Sequence, residues 1–236
     1  MKRWMRRVIA AALVAGWVGA MAAGPVEWSP MRQAQSRDDI STWARPIEGM
    51  AVKAFKGQTE VPVSAWAVLA LLADTDSLAA WVFQGKQSAH PEGTPADQAY
   101  LRFKGVWPAD DRDVLIRTTV RQQADGRILV ESREVAGWPE QGCCVRIPLL
   151  KNTFTLTPLP GRWTRVEFQT QIDLGGLVPA WLANAVSTEA PLKTLQGLRK
   201  LVVKPAYQIS SPTQLPQQYH AGGLFTLPEA HLQAAP

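Results

Sequence analysis

The sequence predicts an α+β fold in which a curved antiparallel sheet packs against one long C-terminal helix. Three observations predict it. From Trp81 to Asp173 most segments alternate apolar and polar residues, as strands with one wet face do. A glycine pair, Gly175-Gly176, then ends the alternation, and an apolar stripe with helical spacing follows as far as Val202. One amphipathic helix packed on such a sheet is an α+β arrangement.

The first residues have the three-part layout of a secretory signal peptide. A basic stretch at residues 2–7 precedes an apolar run at 8–18, and Ala20 and Ala22 supply the small-residue cleavage spacing. The apolar run is shorter than the roughly 20 residues that a membrane-spanning helix needs. We therefore expect residues 1–22 to be removed and the mature protein to be periplasmic or secreted. An uncleaved membrane anchor is the alternative.

Charge argues against a nucleic-acid partner. The whole chain has a formal net charge of +5, but the leader holds four basic and no acidic residues, which leaves the mature chain at +1. Nucleic-acid binders rely on a positive field that this balance does not supply. The high isoelectric point thus belongs largely to the leader.

The region before the main sheet predicts mixed elements. Residues 29–42 are polar and are predicted to be helical, whereas 49–61 predict a strand pair with a turn at Lys56-Gly57. The apolar stretch from Ser64 to Trp81 predicts two short helices, separated where the sequence reads TDS.

Five alternating stretches predict the strands of the sheet, and the helix after them begins near Pro179. Pro148 restricts its own strand to an edge or bulged position. The stretches read YLRFKGVW, RDVLIRTTVRQQ, RILVESRE, CCVRIPLL with TFTLTPL, and RVEFQTQIDL.

The chain after residue 204 is rich in Pro, Gln and Ala and lacks a period, so residues 205–236 predict a disordered tail. The remaining length suits one domain, which we place at residues 28–204. A partner-binding role of the tail is an alternative function.

No catalytic or metal-binding pattern is present. The three histidines lie in a loop and in the tail, which excludes a histidine zinc cluster, and no nucleophile elbow or phosphate loop occurs. We therefore predict neither a cofactor nor a metal, and no enzymatic activity. Cys143 and Cys144 are adjacent, and two buried or half-buried thiols are favoured over a strained bridge between neighbours.

Trp138 lies in the loop AGWPEQG, outside any periodic pattern that would bury it. It either fills a local pocket or contacts a membrane surface.

Taken in order, these motifs resemble the START domain, the steroidogenic-acute-regulatory-protein-related lipid-transfer family, here as an exported bacterial member. The matching pieces are Arg112-Asp113 opening a strand, a proline-bearing loop, Val145-Arg146 starting a strand, and a strand ending in Pro158. DLGGLVPAWL then leads into the last helix. The resemblance covers roughly residues 28–204.

The resemblance implies a helix-grip fold, in which the sheet wraps the C-terminal helix around an internal hydrophobic tunnel that holds one lipid. The loop of Trp138 then lies at the tunnel rim. In that picture, the alternating strand positions, the apolar stripe of the last helix and the rim loop form the ligand-binding wall. The residues are Leu101, Phe103, Val114, Ile116, Thr118, Val120, Trp138, Ile147, Phe154, Val166, Phe168, Thr170, Leu182, Val186 and Leu195. This set contains no charge, and its only hydroxyls are Thr118 and Thr170, which favours an aliphatic or sterol-like guest.

The resemblance therefore implies a monomeric carrier that binds a lipid or sterol-like molecule in the cell envelope and contacts membrane surfaces transiently. Two alternatives stay open. One is a helix-grip enzyme of cyclase or hydrolase type acting on an apolar substrate, and the other is an envelope interaction module. A filled core in place of a tunnel would exclude the carrier.

Overall fold

The computed structural model describes residues 27–105, 107–220 and 225–233 of the chain. The described part contains ten strands: β1 (Ser29–Arg32), β2 (Ser41–Arg45), β3 (Ala54–Val61), β4 (Gly85–Ala89), β5 (Gln98–Phe103), β6 (Asp111–Gln122), β7 (Ile128–Glu134), β8 (Cys144–Arg146), β9 (Leu149–Leu159) and β10 (Trp163–Asp173). The helices are α1 (Ala65–Ala73), α2 (Leu78–Trp81), α3 (Ala180–Val202) and α4 (Glu229–Leu232). Short 3₁₀ turns lie at Thr75–Ser77, Pro205–Tyr207, Pro212–Gln214 and Gln217–His220.

All strands join one sheet in the order β1-β2-β3-β10-β9-β7-β6-β5-β4, with β8 beside β6. The neighbours in this path are antiparallel, whereas β8 runs parallel to β6. The sheet is curved and α3 packs across it, which confirms the predicted α+β helix-grip fold. Pro148 lies between β8 and β9, outside both.

Two predictions for the first 61 residues are wrong. Residues 29–42 form β1, a loop and the start of β2 rather than a helix, because Thr42 and Ala44 alternate inward along β2. Residues 54–61 form one strand rather than a pair. Gly57 is not a turn residue: a Cβ atom there would lie 2.8 Å from Leu195 and 2.9 Å from Pro191, so the missing side chain lets α3 touch the sheet.

The prediction of a disordered tail is also wrong for the described residues. Tyr219 and Phe225 are 5% exposed, and the Phe225 ring packs 6.5 Å from that of Trp66 in α1. Tyr219 donates a hydrogen bond to the carbonyl of Leu72, at 3.1 Å. The tail therefore straps the outer side of α1 and belongs to the domain.

His231 fixes the end of this strap. Its ring is 1% exposed, its Nδ1–H donates to the carbonyl of Leu159 at 2.6 Å, and its Nε2 accepts from the backbone N–H of Ala65 at 3.1 Å. Backbone bonds join Gly161 and Arg162 to the same turn of α4. One histidine thus links the β9–β10 turn to the first residue of α1.

The predicted leader, residues 1–22, lies outside the described residues. Among the helices of the described ranges, none combines the length and apolar character that crossing a bilayer requires.

Candidate functional site: an apolar cavity under the C-terminal helix

A cavity lies between the concave side of the sheet and the first half of α3. Its volume is about 140 Å³. That space is about ten times what one water needs. Strands β5, β6, β9 and β10 supply one wall, and α3 with the segment after α2 supplies the other.

Nine of the fifteen residues predicted for the ligand wall line this cavity. They are Leu101, Phe103, Ile116, Ile147, Phe154, Phe168, Thr170, Leu182 and Val186. Their positions follow from the strand period of two and the helical spacing of α3, the two signals that the sequence supplied. Contact with a ligand stays a prediction for all of them.

Five others face inward but lie outside the cavity wall. Val166 and Leu195 are fully buried in the packed core, and Val120 packs against the same core. Val114 is buried beside Ile147 in a smaller cluster. Thr118 shares a 2.8 Å hydrogen bond with Ser132.

Trp138 lies on the opposite face of the sheet, so its placement at the tunnel rim is wrong. Its ring packs 5.7 Å from that of Tyr100, which alternates with the cavity residue Leu101 along β5. The Trp138 carbonyl accepts a 3.0 Å hydrogen bond from Arg146. Burial, together with the nearby Asp113 carboxylate, raises the pKa of the Tyr100 hydroxyl.

This outer cluster is built around a buried ion pair. Arg146 binds Asp113 through two bonds of 2.7 and 3.0 Å, and Asp113 is 1% exposed. Cys143 and Cys144 lie immediately before and at the start of β8, joined to each other in a disulfide. The expectation of two free thiols is therefore wrong. The bridge lies where the β7–β8 loop enters β8, and neither cysteine lines the cavity.

An aromatic floor separates the cavity from the packed core. Phe154 and Phe168 stack with centroids 4.5 Å apart, and Trp81 meets Phe154 edge-on at 6.0 Å. Beyond this floor, Leu156 and Val166 are fully buried with Leu198 of α3. The interior is thus hollow at one end and filled at the other.

A polar belt crosses the sheet just above the floor. Thr118, Ser132, Asn152 and Thr170 are direct cross-strand partners on β6, β7, β9 and β10, all on the inward face. Asn152 and Thr170 reach the cavity, and Asn152 Oδ1 is buried with no hydrogen-bond partner. Alternation with Phe154 could have identified Asn152 from the sequence.

The cavity mouth contains the positive charge of Arg112, which the predicted wall did not include. Arg112 lines the cavity and is 5% exposed. It occupies the inward position two residues before Val114, so the same alternation indicates its direction. The expectation of an uncharged lining is therefore wrong at the mouth.

Arg112 holds together the two loops that frame the mouth. Its Nη1 donates to the carbonyl of Asp110 at 2.5 Å, its Nε to that of Leu174 at 3.2 Å, and its Nη2 to that of Gly175 at 3.4 Å. Gly175 and Gly176 have φ values of +62° and +66°, which glycine adopts without strain. These glycines let the chain reverse from β10 into α3, as the sequence predicted.

Large apolar side chains project outward around the same mouth. Trp107 is 89% exposed, Leu177 is fully exposed and Trp181 is 72% exposed. Trp107 lies between the cavity residues Gly105 and Ala109, and the other two flank Val178. The entrance to the cavity therefore carries an apolar rim.

Comparisons with known proteins agree with this architecture. No protein-family model matches the chain. An uncharacterised protein of Pseudomonas aeruginosa is 29% identical over 206 residues, which cover 86% of this chain and all of that one.

Among solved structures, the STAR-related lipid transfer protein of Xanthomonas axonopodis (residues 25–204) matches with a TM-score of 0.67 and 29% identity, over 75% of this chain and 99% of that one. Human STARD10 matches with a TM-score of 0.64 and 17% identity, over 75% and 74% of the two chains. The second likeness concerns the fold alone. The chain has the START-like helix-grip fold.

Proposed function

We propose that this protein binds one hydrophobic molecule, a lipid or a sterol-like compound, in the cavity under α3, and carries or presents it in the cell envelope. The observation that carries the proposal is the hollow half of the interior. Apolar side chains such as Ile116, Leu150 and Leu182 face a space that no described residue fills. Burial of an apolar guest there is favourable by about 25 cal/mol per Å², before the costs of ordering it.

The names of the similar solved structures support the same class of ligand, since they describe lipid transfer proteins. The leader at residues 1–22 supports an exported protein, either periplasmic or secreted. The proposal includes no catalytic step and no cofactor.

The test is to purify the mature protein under native conditions, extract it with organic solvent and identify what is released. In the matched variants, Ala190→Trp fills the cavity from α3, whereas Ala185→Trp adds the same ring on the exposed side of the helix. We expect a co-purifying hydrophobic molecule in the wild type and in Ala185→Trp, and its loss in Ala190→Trp. Empty protein by native mass spectrometry, with no uptake of lipid or sterol probes, would contradict the proposal.

We further propose that the apolar rim touches a bilayer while the ligand enters or leaves. Tryptophan side chains favour the membrane–water interface, and both Trp107 and Trp181 project beside the mouth. The double variant Trp107→Ser, Trp181→Ser should slow transfer of a fluorescent lipid between vesicles. The amount of lipid bound at equilibrium should stay unchanged, and an unaltered transfer rate would exclude this role of the rim.

A further inference from the structure

A buried cation without an acidic partner lies at the cavity mouth. The Arg112 guanidinium bonds only to backbone carbonyls, and it takes part in none of the ion pairs formed by the described residues. Buried charges in proteins are normally paired, because an unpaired one loses its hydration without compensation. Asp113, the next residue, is committed to Arg146 on the opposite face.

The guanidinium keeps hydrogen-bonding capacity beyond these three carbonyls. It has five N–H donors, of which the three bonds to carbonyls use one each on Nε, Nη1 and Nη2. One donor therefore remains on each terminal nitrogen. Two such donors in a planar fork match the oxygens of a carboxylate or a phosphate.

The described cavity wall adds a second positive charge to that of Arg112 and no carboxylate, although Asp110 and Asp173 lie in the segments that frame the mouth. Lys104 also lines the mouth, and its ammonium has no ion-pair partner among the described residues. No aspartate or glutamate belongs to the described cavity wall. The cavity side of the entrance therefore presents two cations to a ligand, while the interior below it is apolar apart from the belt at Asn152 and Thr170.

We infer that the ligand is an anionic amphiphile with a single chain, whose carboxylate or phosphate pairs with Arg112 at the mouth while its chain extends down to the Phe154–Phe168 floor. This inference rests on the proposed function and names its ligand class. Leu174, which follows β10 at the mouth, lies six positions along the chain from Phe168 at the floor, a distance of about 20 Å in an extended chain. A volume of about 140 Å³ over that length suits one chain rather than two.

The experiment compares three ligands that have the same chain of about 16 carbons, chosen to match the length of about 20 Å estimated above. They differ only in the head: hexadecanoate, hexadecyl phosphate and the uncharged hexadecanol. Dissociation constants are measured for the wild type by displacement of a neutral fluorescent probe, with inorganic phosphate as the chain-free anion. We expect both charged amphiphiles to bind at least about tenfold more tightly than the alcohol. Inorganic phosphate should not displace the probe.

Substitutions of Arg112 test whether its guanidinium is the cation that binds the charged head. Arg112→Gln should remove the preference for the charged heads while hexadecanol still binds, and Arg112→Lys should restore part of it. Arg117→Gln is the matched control, because Arg117 lies on the same strand but is exposed on the outer face, where it pairs with Asp97. It should leave the preference unchanged.

The outcomes separate the two proposals. Equal affinity of the wild type for acid and alcohol would overturn the anionic ligand but leave a hydrophobic carrier intact, and this comparison does not depend on whether any variant folds. A preference that survives Arg112→Gln would overturn the role of Arg112. Displacement by inorganic phosphate would show a free-anion site rather than a headgroup site. Absence of binding by every amphiphile would overturn both proposals.

Discussion

The two ends of the interior are built from the same strands yet differ in what lies opposite them. At the closed end, inward residues such as Leu156 and Val166 meet α1 and the second half of α3, and they are fully buried. At the open end, Leu150 and Ile172 on the same strands face the cavity. Strand alternation therefore determines which residues point inward, but the facing layer determines whether they make a core or a wall.

The helix shows how the facing layer changes. In its first half, the residues that reach the cavity include Ser187 and Ala190, which are small. In its second half, Leu195, Leu198 and Val202 are fully buried against the sheet. Small side chains leave space and large ones fill it, so the change along one helix accounts for the hollow and the filled end.

Removing the tail should produce the largest effect on the closed end. Truncation after residue 204 uncovers Trp66 and leaves the Ala65 N–H without its His231 partner. Loss of one buried phenylalanine costs about 3–5 kcal/mol, so we expect the free energy of unfolding to fall by at least about 3 kcal/mol. Chemical denaturation measures it.

Gln217→Ala, at an exposed residue of the tail, is the control for this cut and should be neutral. Ligand binding by whatever fraction stays folded should persist in both proteins, since no described residue of the tail lines the cavity. Full stability of the chain cut after residue 204 would contradict the strap.

Substitution of two leucines in α3 compares the contributions of the two ends to stability directly. Leu198→Ala removes a fully buried side chain at the closed end and should cost about 2–5 kcal/mol of unfolding free energy. Leu182→Ala removes a half-buried one that faces the cavity, and should cost about 1 kcal/mol or less. Denaturation curves for the two variants give the difference, and equal losses would mean that the open end is packed as tightly as the closed one.

A smaller effect is expected from the pH dependence of stability, and it again concerns the closed end. Burial, with the Arg162 charge nearby, lowers the pKa of His231 below its usual value. The unfolded chain then takes up a proton near pH 6.5 that the folded chain excludes, so stability should fall as the pH drops below about 6.5. Protonation at Nε2 would also bring two hydrogen-bond donors into contact, the ring N–H of His231 and the backbone N–H of Ala65.

The measurement is the unfolding free energy at pH 7.5, 6.5 and 5.5, values chosen to bracket a histidine pKa of about 6.5. His231→Gln should flatten the profile in this range. His90→Gln removes an exposed histidine and should not. A slope that survives in His231→Gln would assign the pH dependence to other groups.

The sequence predicted the strands of residues 98–173, the helix from residue 180 and the glycine reversal, because each has a strong local period or a conformational requirement. It also identified nine residues of the cavity wall for the same reason. It could not separate Val166 from Phe168, which share a face of β10 and differ only in depth. Depth depends on α1 and the tail, which contact β9 and β10 only after folding.

The errors have physical causes as well. Gly57 resembled a turn residue, but its missing side chain instead allows close contact with Leu195, which is far away in sequence. The tail resembled a disordered segment because isolated residues, such as Tyr219 and Phe225, anchor it without any period. Arg112 was not predicted to line the cavity, because a charged residue is expected to face solvent. Its position two residues before Val114 nevertheless indicates the inward face.

Glycine contacts also decide how α3 can move. Gly57 receives Pro191 and Leu195, and a Cβ atom at Gly197 would lie 2.3 Å from the Trp81 carbonyl oxygen. Both contacts clamp the helix at and beyond Pro191. The turns before Pro191 are held differently: Asn184 accepts a 3.0 Å hydrogen bond from the backbone N–H of Lys53 and donates one of 3.1 Å to the carbonyl of Ala51. A side chain at either glycine would therefore displace the second half of the helix from its seat, whereas the Asn184 bonds of the first half involve no glycine.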